Sequence, residues 1–344
     1  MNPISNNHNV PGLLLLTRDV PGIGGELKQQ EEDFQVREVA AYAPSGTGDH
    51  LFLRLTKQGI SHGRAMNILA AECRIPRQAI GYAGQKDKQG ITSQHISLER
   101  RYMENIAAFN YPGMTLTPLG FHGNKLKIGH LKGNRFQLRI RDAHPDAPAR
   151  LRAKLPLLRA GGLPNFYGCQ RFGDHVDNHL QGKNALLAQK RQKKRKNFLI
   201  NAFQSYLFNL YLGRRMADGL FDRVISGDVL KKRDTGGLFY CQDEDTDQQR
   251  LEDGDIVATG PIFGYRMMQA QPPSRDREDA LLLAENVTAD MFRPFRMRGS
   301  RRVLAVSLAD MDWSCDGRDV VLSFFLPAGS YATVLCQELM LPRD

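Results

Sequence analysis

Apolar and polar residues alternate through Phe34-Gln35-Val36-Arg37-Glu38-Val39 and again through Leu51-Phe52-Leu53-Arg54-Leu55. That period of two predicts half-buried strands. Ser61 is placed to cap a helix running to Cys73, with Met66, Leu69 and Ala70 on one face and Pro76 beyond its end. A short strand near Ala79 to Ala83, a polar turn at Asp87 to Gly90 and a returning strand from Ile91 to Leu98 come next. This order puts Asp87 at a loop tip on a sheet, where side chains are free to meet a ligand. Residues Lys125 to Arg141 read as a basic hairpin. Phe136, Leu138 and Ile140 face one way, Arg135, Gln137, Arg139 and Arg141 the other, and Gly129 and Lys132-Gly133-Asn134 supply turn chemistry.

The texture changes after His144. A Pro/Ala-rich stretch at 145–149 leads into a helical pattern that Gly161-Gly162-Leu163-Pro164 breaks. From there to about Arg293 the chain reads as mainly helical. Its strongest helix is Asn197 to Ala217, striped by Phe203, Tyr206, Leu207, Leu210 and Tyr211. Strand character returns at Arg302 to Leu308 and Val320 to Leu326. A β-rich start, a helical middle and a β-rich end predict an α+β protein in which a helical region is inserted into a sheet domain.

The length of 344 residues suits two domains, or one with an insertion, and 41% apolar with 24% charged residues suits a globular protein. Lys and Arg outnumber Asp and Glu by 47 to 37, a formal charge of +10. That excess favours an acidic partner, of which nucleic acid is the commonest. The 5 cysteines are scattered, odd in number and without a Cys-x-x-Cys pair, which predicts reduced thiols. Leu13 to Leu16 is too short for a signal-peptide core and no apolar run has membrane-spanning length. A cytoplasmic protein is expected.

Chemistry concentrates in Gly81-Tyr82-Ala83-Gly84-Gln85-Lys86-Asp87-Lys88-Gln89-Gly90. A lone carboxylate between two ammonium groups suits a nucleophile or base acting on a polyanionic substrate; it also suits a solvated polar turn. The segment is no P-loop, because the Gly-Lys-Ser/Thr ending is absent, and Gly22 to Gly25 is too short for a dinucleotide fingerprint. Six of the seven residues from Lys190 to Lys196 are basic, which fits either a solvated helix start or phosphate contacts. Asp243, Asp245 and Asp247 have the spacing of a calcium loop, but Gln248 and Gly254 stand where its glycine and closing glutamate belong. The histidines show no metal-ligand pairing. Phe136 and Tyr331 fit core positions, the commoner case for an aromatic on an apolar strand face, and also stacking platforms for an extruded base; the pattern alone does not decide between them.

Several segments together resemble the TruD family of tRNA pseudouridine synthases. They are Lys28 with Glu32-Asp33-Phe34, Gly81 to Lys88, Leu131-Lys132-Gly133-Asn134-Arg135-Phe136, Pro164 to Gly173, Leu207-Phe208-Asn209, Gly227-Asp228, and Leu326 to Thr333. They stand in family order over almost the whole chain. The resemblance implies a pseudouridine-synthase catalytic domain on an antiparallel or mixed sheet, from residues 1–163 and 301–344, with a mainly helical α/β TRUD domain inserted at 164–300. It implies isomerisation of uridine to pseudouridine in tRNA, by analogy at position 13, with a single catalytic aspartate and neither cofactor nor metal. Asp87 matches the catalytic aspartate and Lys28 a basic partner. Asn134, Phe136 and Tyr331 match the uridine pocket, with Gln85 and Lys86 as further substrate contacts. A soluble monomer whose partner is tRNA is expected. Two alternatives keep the fold: a non-catalytic RNA-binding or RNA-folding protein, and a synthase acting on another RNA. Gln337 departs from the family, many members of which have Arg there. Tyr331 stands where some have Phe.

Overall fold

The structure is a computed structural model that describes residues 10–189 and 195–341. The basic run at 190–196 lies outside the described residues, apart from the backbone of its last two positions. The first half contributes strands β1 (Gly24–Leu27), β2 (Phe34–Ala40), β3 (His50–Gln58), β4 (Gly81–Tyr82), β5 (Ile91–Glu99), β6 (Met114–His122) and β7 (Leu131–Ala143), with helices α1 (His62–Glu72), α2 (Met103–Ala107) and α3 (Ala147–Gly161). The middle holds β8 (Leu163–Pro164), α4 (Asn178–Leu187), α5 (Arg195–Ala217), β9 (Val229–Lys232), β10 (Leu238–Tyr240), α6 (Glu244–Glu252), β11 (Ile256–Ile262) and α7 (Ser274–Ala284). It is followed by β12 (Ser300–Val303), β13 (Ala305–Val306), β14 (Asp312–Asp316), β15 (Asp319–Pro327) and α8 (Ala332–Met340).

The large sheet runs β14-β15-β7-β2-β5-β3-β6, with β1 added on β7 and β4 on β5. Only β2 and β5 are parallel among its described pairs, so the protein is α+β with a mixed sheet. Register makes one face continuous. Phe324 lies beside Phe136, Phe136 beside Val36, Val36 beside Thr92 and Thr92 beside Lys57. Helix α1 covers this face over β3 and β5, where Ala65, Met66 and Leu69 meet Leu51, Leu53 and Leu55. Helices α3 and α8 cover it over β7 and β15. The opposite face carries Arg139 and Arg141, paired with Asp319 and Asp33.

A second sheet, β10-β9-β11-β12, is built from three strands of the middle stretch and the strand that follows it. Its strands correct the mainly helical expectation. Ile256 to Pro261 is buried on both faces, so the strand is a continuous apolar run without the alternation that marks a half-buried one. Predicted helices fare better. Ser61 caps α1 by accepting from the Arg64 N–H at 3.3 Å, and α5 buries Ile200, Phe203, Leu207, Phe208, Tyr211 and Leu212.

The hairpin expected over 125–141 is one long strand from Leu131 onward. Lys132-Gly133-Asn134 is no turn, because Gly133 pairs with Val39 on one side and Pro327 on the other. A Cβ on Gly133 would lie 2.2 Å from the Leu326 carbonyl and 2.6 Å from the Phe325 ring. The glycine there admits close strand approach rather than chain reversal.

Candidate active site

Among the inward positions of the large sheet that carry polar groups where the alternation calls for apolar ones are Glu38 on β2, Gln94 on β5 and Lys57 on β3. All three are buried, and all hold the loop between β4 and β5. Lys57 Nζ donates to the Asp87 carbonyl at 2.6 Å and to the Ile60 carbonyl at 2.6 Å. Gln94 Nε2 donates to the Gly84 carbonyl at 3.4 Å. Glu38 accepts from Lys86 Nζ at 2.6 Å and from the His95 N–H at 3.1 Å. The loop backbone is thereby fixed from below while the Asp87 side chain stays exposed above it. Burial pulls the Lys57 ammonium down to about 8, with the Asp87 charge opposing the shift and that of Lys86 adding to it.

This arrangement corrects the expectation for Lys86. Its ammonium points into the protein and is committed to Glu38, with both side chains nearly inaccessible, so it is not free to meet a substrate. Gln85 stands exposed on the loop.

Lys28 follows β1 in a left-handed conformation, φ 58°, which side chains other than glycine rarely adopt. Its Nζ sits 4.0 Å above the centroid of Phe34. Burial lowers its pKa and the Asp87 charge works against that shift. Among the described residues no ion pair within 4.0 Å joins the two, so the coupling acts across a gap.

Asn134 lies between Glu38 and Leu326 in the register, and its Oδ1 is buried without a hydrogen-bond partner. One residue pair along, Phe136 stacks on Phe324 at 5.2 Å and meets Phe34 edge-on at 6.3 Å. Tyr331 precedes α8 and meets Tyr167 edge-on at 5.8 Å. Burial pushes its phenol up, and Asp87 is among the charges acting on it. Gly168 lets the 165–173 segment pass beneath, since a Cβ there would lie 2.6 Å from Thr333 Oγ1 and 3.0 Å from the Tyr331 ring. Lys28, Asp87, Cys169 and Tyr331 therefore share one neighbourhood, with burial raising the Cys169 thiol.

Among the described residues no group of three His, Cys, Asp or Glu side chains is placed to hold a metal ion. Asp243 instead caps α6 by accepting from the Thr246 N–H, and Asp247 pairs with Arg250 at 2.6 Å. No described helix is long and apolar enough to cross a membrane, and the cysteines are free thiols.

The family model for tRNA pseudouridine synthase D (TruD) matches residues 11–193 and 184–339. The chain belongs to the TruD family of tRNA pseudouridine synthases. It is 42% identical to a tRNA pseudouridine synthase D of Thermus thermophilus over 94% of this chain and 91% of that one. It is 40% identical to that of an Anaeromyxobacter species over 95% of each. A crystal structure assigned to the TruD of Methanosarcina mazei shares the fold, with TM-score 0.79 and 24% identity over 97% of both chains.

The TruD chain brings Asp87 within electrostatic reach of Lys28 and Tyr331, and sets Asn134 beside Glu38, which holds the Asp87 loop through Lys86, with Phe136 stacked on Phe324 one pair along. Sequence reasoning missed Glu38 and Lys57, although a signal was present. Phe34, Val36 and Glu38 share one strand parity, as do Leu51, Leu53, Leu55 and Lys57, so each charge falls on an inward position. It also missed Tyr167, Arg171 and Arg302, whose roles depend on contacts between distant segments.

Proposed function

We propose that this protein converts uridine to pseudouridine in tRNA, at position 13, with Asp87 as the one carboxylate that acts on the nucleotide. The observation that carries the reading is the clamped loop: buried groups from three strands fix the loop around Asp87 and leave that residue exposed, within electrostatic reach of Lys28 and Tyr331. Preorganisation of this kind is what a reaction without a cofactor requires, because position and charge are then the main sources of rate.

The target base must first leave the helical stack, at a cost of about a few kcal/mol. In the proposed pocket the unpaired Asn134 Oδ1 is free to accept from the uracil N3–H, and the Tyr331 ring offers a face to the base. The Asp87 carboxylate then either attacks C1′ and displaces N1, or removes the proton from C2′ so that uracil departs and a glycal remains. The detached base turns and C5 bonds to C1′, expelling the Asp87 carboxylate in the first route or, in the second, with C2′ taking back its proton; in both, C5 then loses its proton and N1 gains one. Lys28 supplies positive charge to the developing anion, and its own buried position makes that charge effective.

The test is Asp87→Asn protein incubated with tRNA, read by sequencing that separates uridine from pseudouridine. Loss of product by at least about a thousandfold is expected for removal of a catalytic group. Turnover near the wild-type rate would overturn the mechanism. Wild-type protein that binds tRNA yet forms no pseudouridine at any position would instead make this a non-catalytic RNA binder.

A further inference from the structure

Buried arginines in this protein are normally paired with carboxylates. Arg215 meets Asp228 at 2.6 Å and Arg301 meets Glu278 at 2.7 Å. Two partly exposed arginines near Tyr331 have no such partner. Arg302 lies with its guanidinium 4.1 Å from the Tyr167 ring centroid and 5.3 Å from that of Phe208. It donates only to neutral acceptors: the Asn165 carbonyl and Oδ1, and the Gly329 carbonyl. Arg171 lies 5.4 Å from the Tyr167 centroid and donates to Ser205 Oγ and the Asn201 carbonyl. Neither has a carboxylate within 4.0 Å among the described residues. Burial lowers the Arg302 pKa, and the charge of Arg171 pushes it in the same direction.

A guanidinium that meets only neutral acceptors keeps a full positive charge with no counter-charge beside it, and so attracts an anion. The location says which anion. Arg302 binds the carbonyl of Gly329 in the turn that carries Tyr331, and both arginines act on the Tyr331 phenol alongside Asp87. Arg302 also lines a cavity of about 610 Å³ together with Asn165, Tyr167, Ser330, Lys231 and Lys232, a cavity whose lining does not include Asp87, Lys28, Asn134, Tyr331 or Arg171. We propose that Arg302 and Arg171 form an anion site that takes a backbone phosphate adjoining the target uridine, and so hold the extruded nucleotide by its linkage as well as its base. The guanidinium fork matches phosphate oxygens geometrically. The proposal rests on the reading of Asp87 as the group that acts on that nucleotide.

The test uses tRNA assembled by ligation with one uncharged methylphosphonate linkage, placed immediately 5′ or immediately 3′ of the target uridine. At one of these two positions the wild-type enzyme is expected to lose about ten- to a hundredfold in kcat/KM, the worth of a charge-assisted contact. The same substitution three nucleotides away is expected to change kcat/KM by less than about twofold. Arg302→Met and Arg171→Met enzymes are expected to have lowered kcat/KM on all-phosphate tRNA and to be indifferent to the neutral linkage. Wild-type enzyme indifferent to both adjoining linkages overturns the site, whether or not the variants fold. Folded variants as sensitive to the neutral linkage as the wild type overturn it too. All-phosphate tRNA separates the two readings, since activity there together with a silent Asp87→Asn variant upholds the role of Asp87 while the methylphosphonate result alone judges the arginines.

Discussion

Glu38 sits 3% exposed on a central strand and holds both the Lys86 ammonium and the His95 backbone. Burial pushes its carboxyl up, but the hydrogen bond from His95 and the Lys86 charge outweigh that and leave it below the ordinary glutamate value. Removing one member of such a pair strands the other charge in the protein. Glu38→Gln is therefore expected to destabilise by roughly 3–5 kcal/mol in urea unfolding, with Glu38→Gln/Lys86→Met recovering most of the loss. A single variant within about 0.5 kcal/mol of wild type would show that the pair is not buried in solution. Lys57 gives a pH signature. Its pKa falls from 10.5 unfolded to about 8 folded, so between those values the unfolded chain binds the proton that the folded chain has released. Stability contributed by this group then rises with pH across that window, and its full cost is present below it. The stability difference between wild type and Lys57→Met is expected to shift in favour of wild type from about pH 8 to about pH 10, by at most about 1.4 kcal/mol per pH unit. A difference that stays flat would mean Lys57 remains protonated. Both residues were legible in the sequence as charges at inward strand parity, yet what they hold was not. The Asp87 carbonyl lies 30 residues along the chain from Lys57, and no local pattern encodes that pairing.

At the scale of the element, β7 joins the parts of the site. At Asn134 and Phe136 its neighbours are β2 and β15, so both residues are positioned by both strands. The alternation from Phe136 to Ile140 was readable as a strand because one face is buried and the other is polar. The start of the strand was not, because Lys-Gly-Asn has the composition of a turn and only the proximity of β15 explains the glycine. A methyl group on Gly133 would collide with the Leu326 backbone, which cannot rotate away as a side chain does. Gly133→Ala is expected to cost at least about 1–3 kcal/mol and to move Asn134 relative to the turn that bears Tyr331. Pseudouridine formation should then fall more than tRNA affinity does. Equal losses in kcat and in binding would place the strain elsewhere than at the pocket. Strand β14 went unread for a related reason: Asp312-Trp313-Ser314-Cys315-Asp316 is a mostly exposed edge, so burial imposes no period on it.

Across the whole molecule, the sequence suggested a sheet region interrupted by an inserted one, and such an insertion is free to unfold by itself only if few contacts cross to it. Here they are dense. One core cluster runs from Phe34 and Leu138 of the large sheet through Phe203 and Phe208 of α5 to Leu230 and Ile256 of the small sheet. The N-terminal segment adds a strap. Asn209 on α5 donates to the Pro11 carbonyl at 3.1 Å, and farther along the backbone N–H groups of Leu16 and Thr17 donate to Glu338 on α8 at 2.9 and 3.0 Å. Lys154 on α3 ties the same crossing by donating to the carbonyls of Thr17, Glu338 and Leu341. Loosening either sheet would expose apolar surface of the other and cut the strap, so the two regions should lose structure together. The single tryptophan makes this measurable. Trp313 stands on β14 of the large sheet, opposite Leu322, while much of the helical circular dichroism comes from α4 to α7 in the middle stretch. Urea titrations followed by Trp313 fluorescence and by far-ultraviolet ellipticity are expected to give one midpoint and one slope, the mark of a cooperative unit. If the ellipticity falls in a separate step while the Trp313 signal is still native, the shared core is too weak to couple the sheets, and the insertion is an autonomous domain.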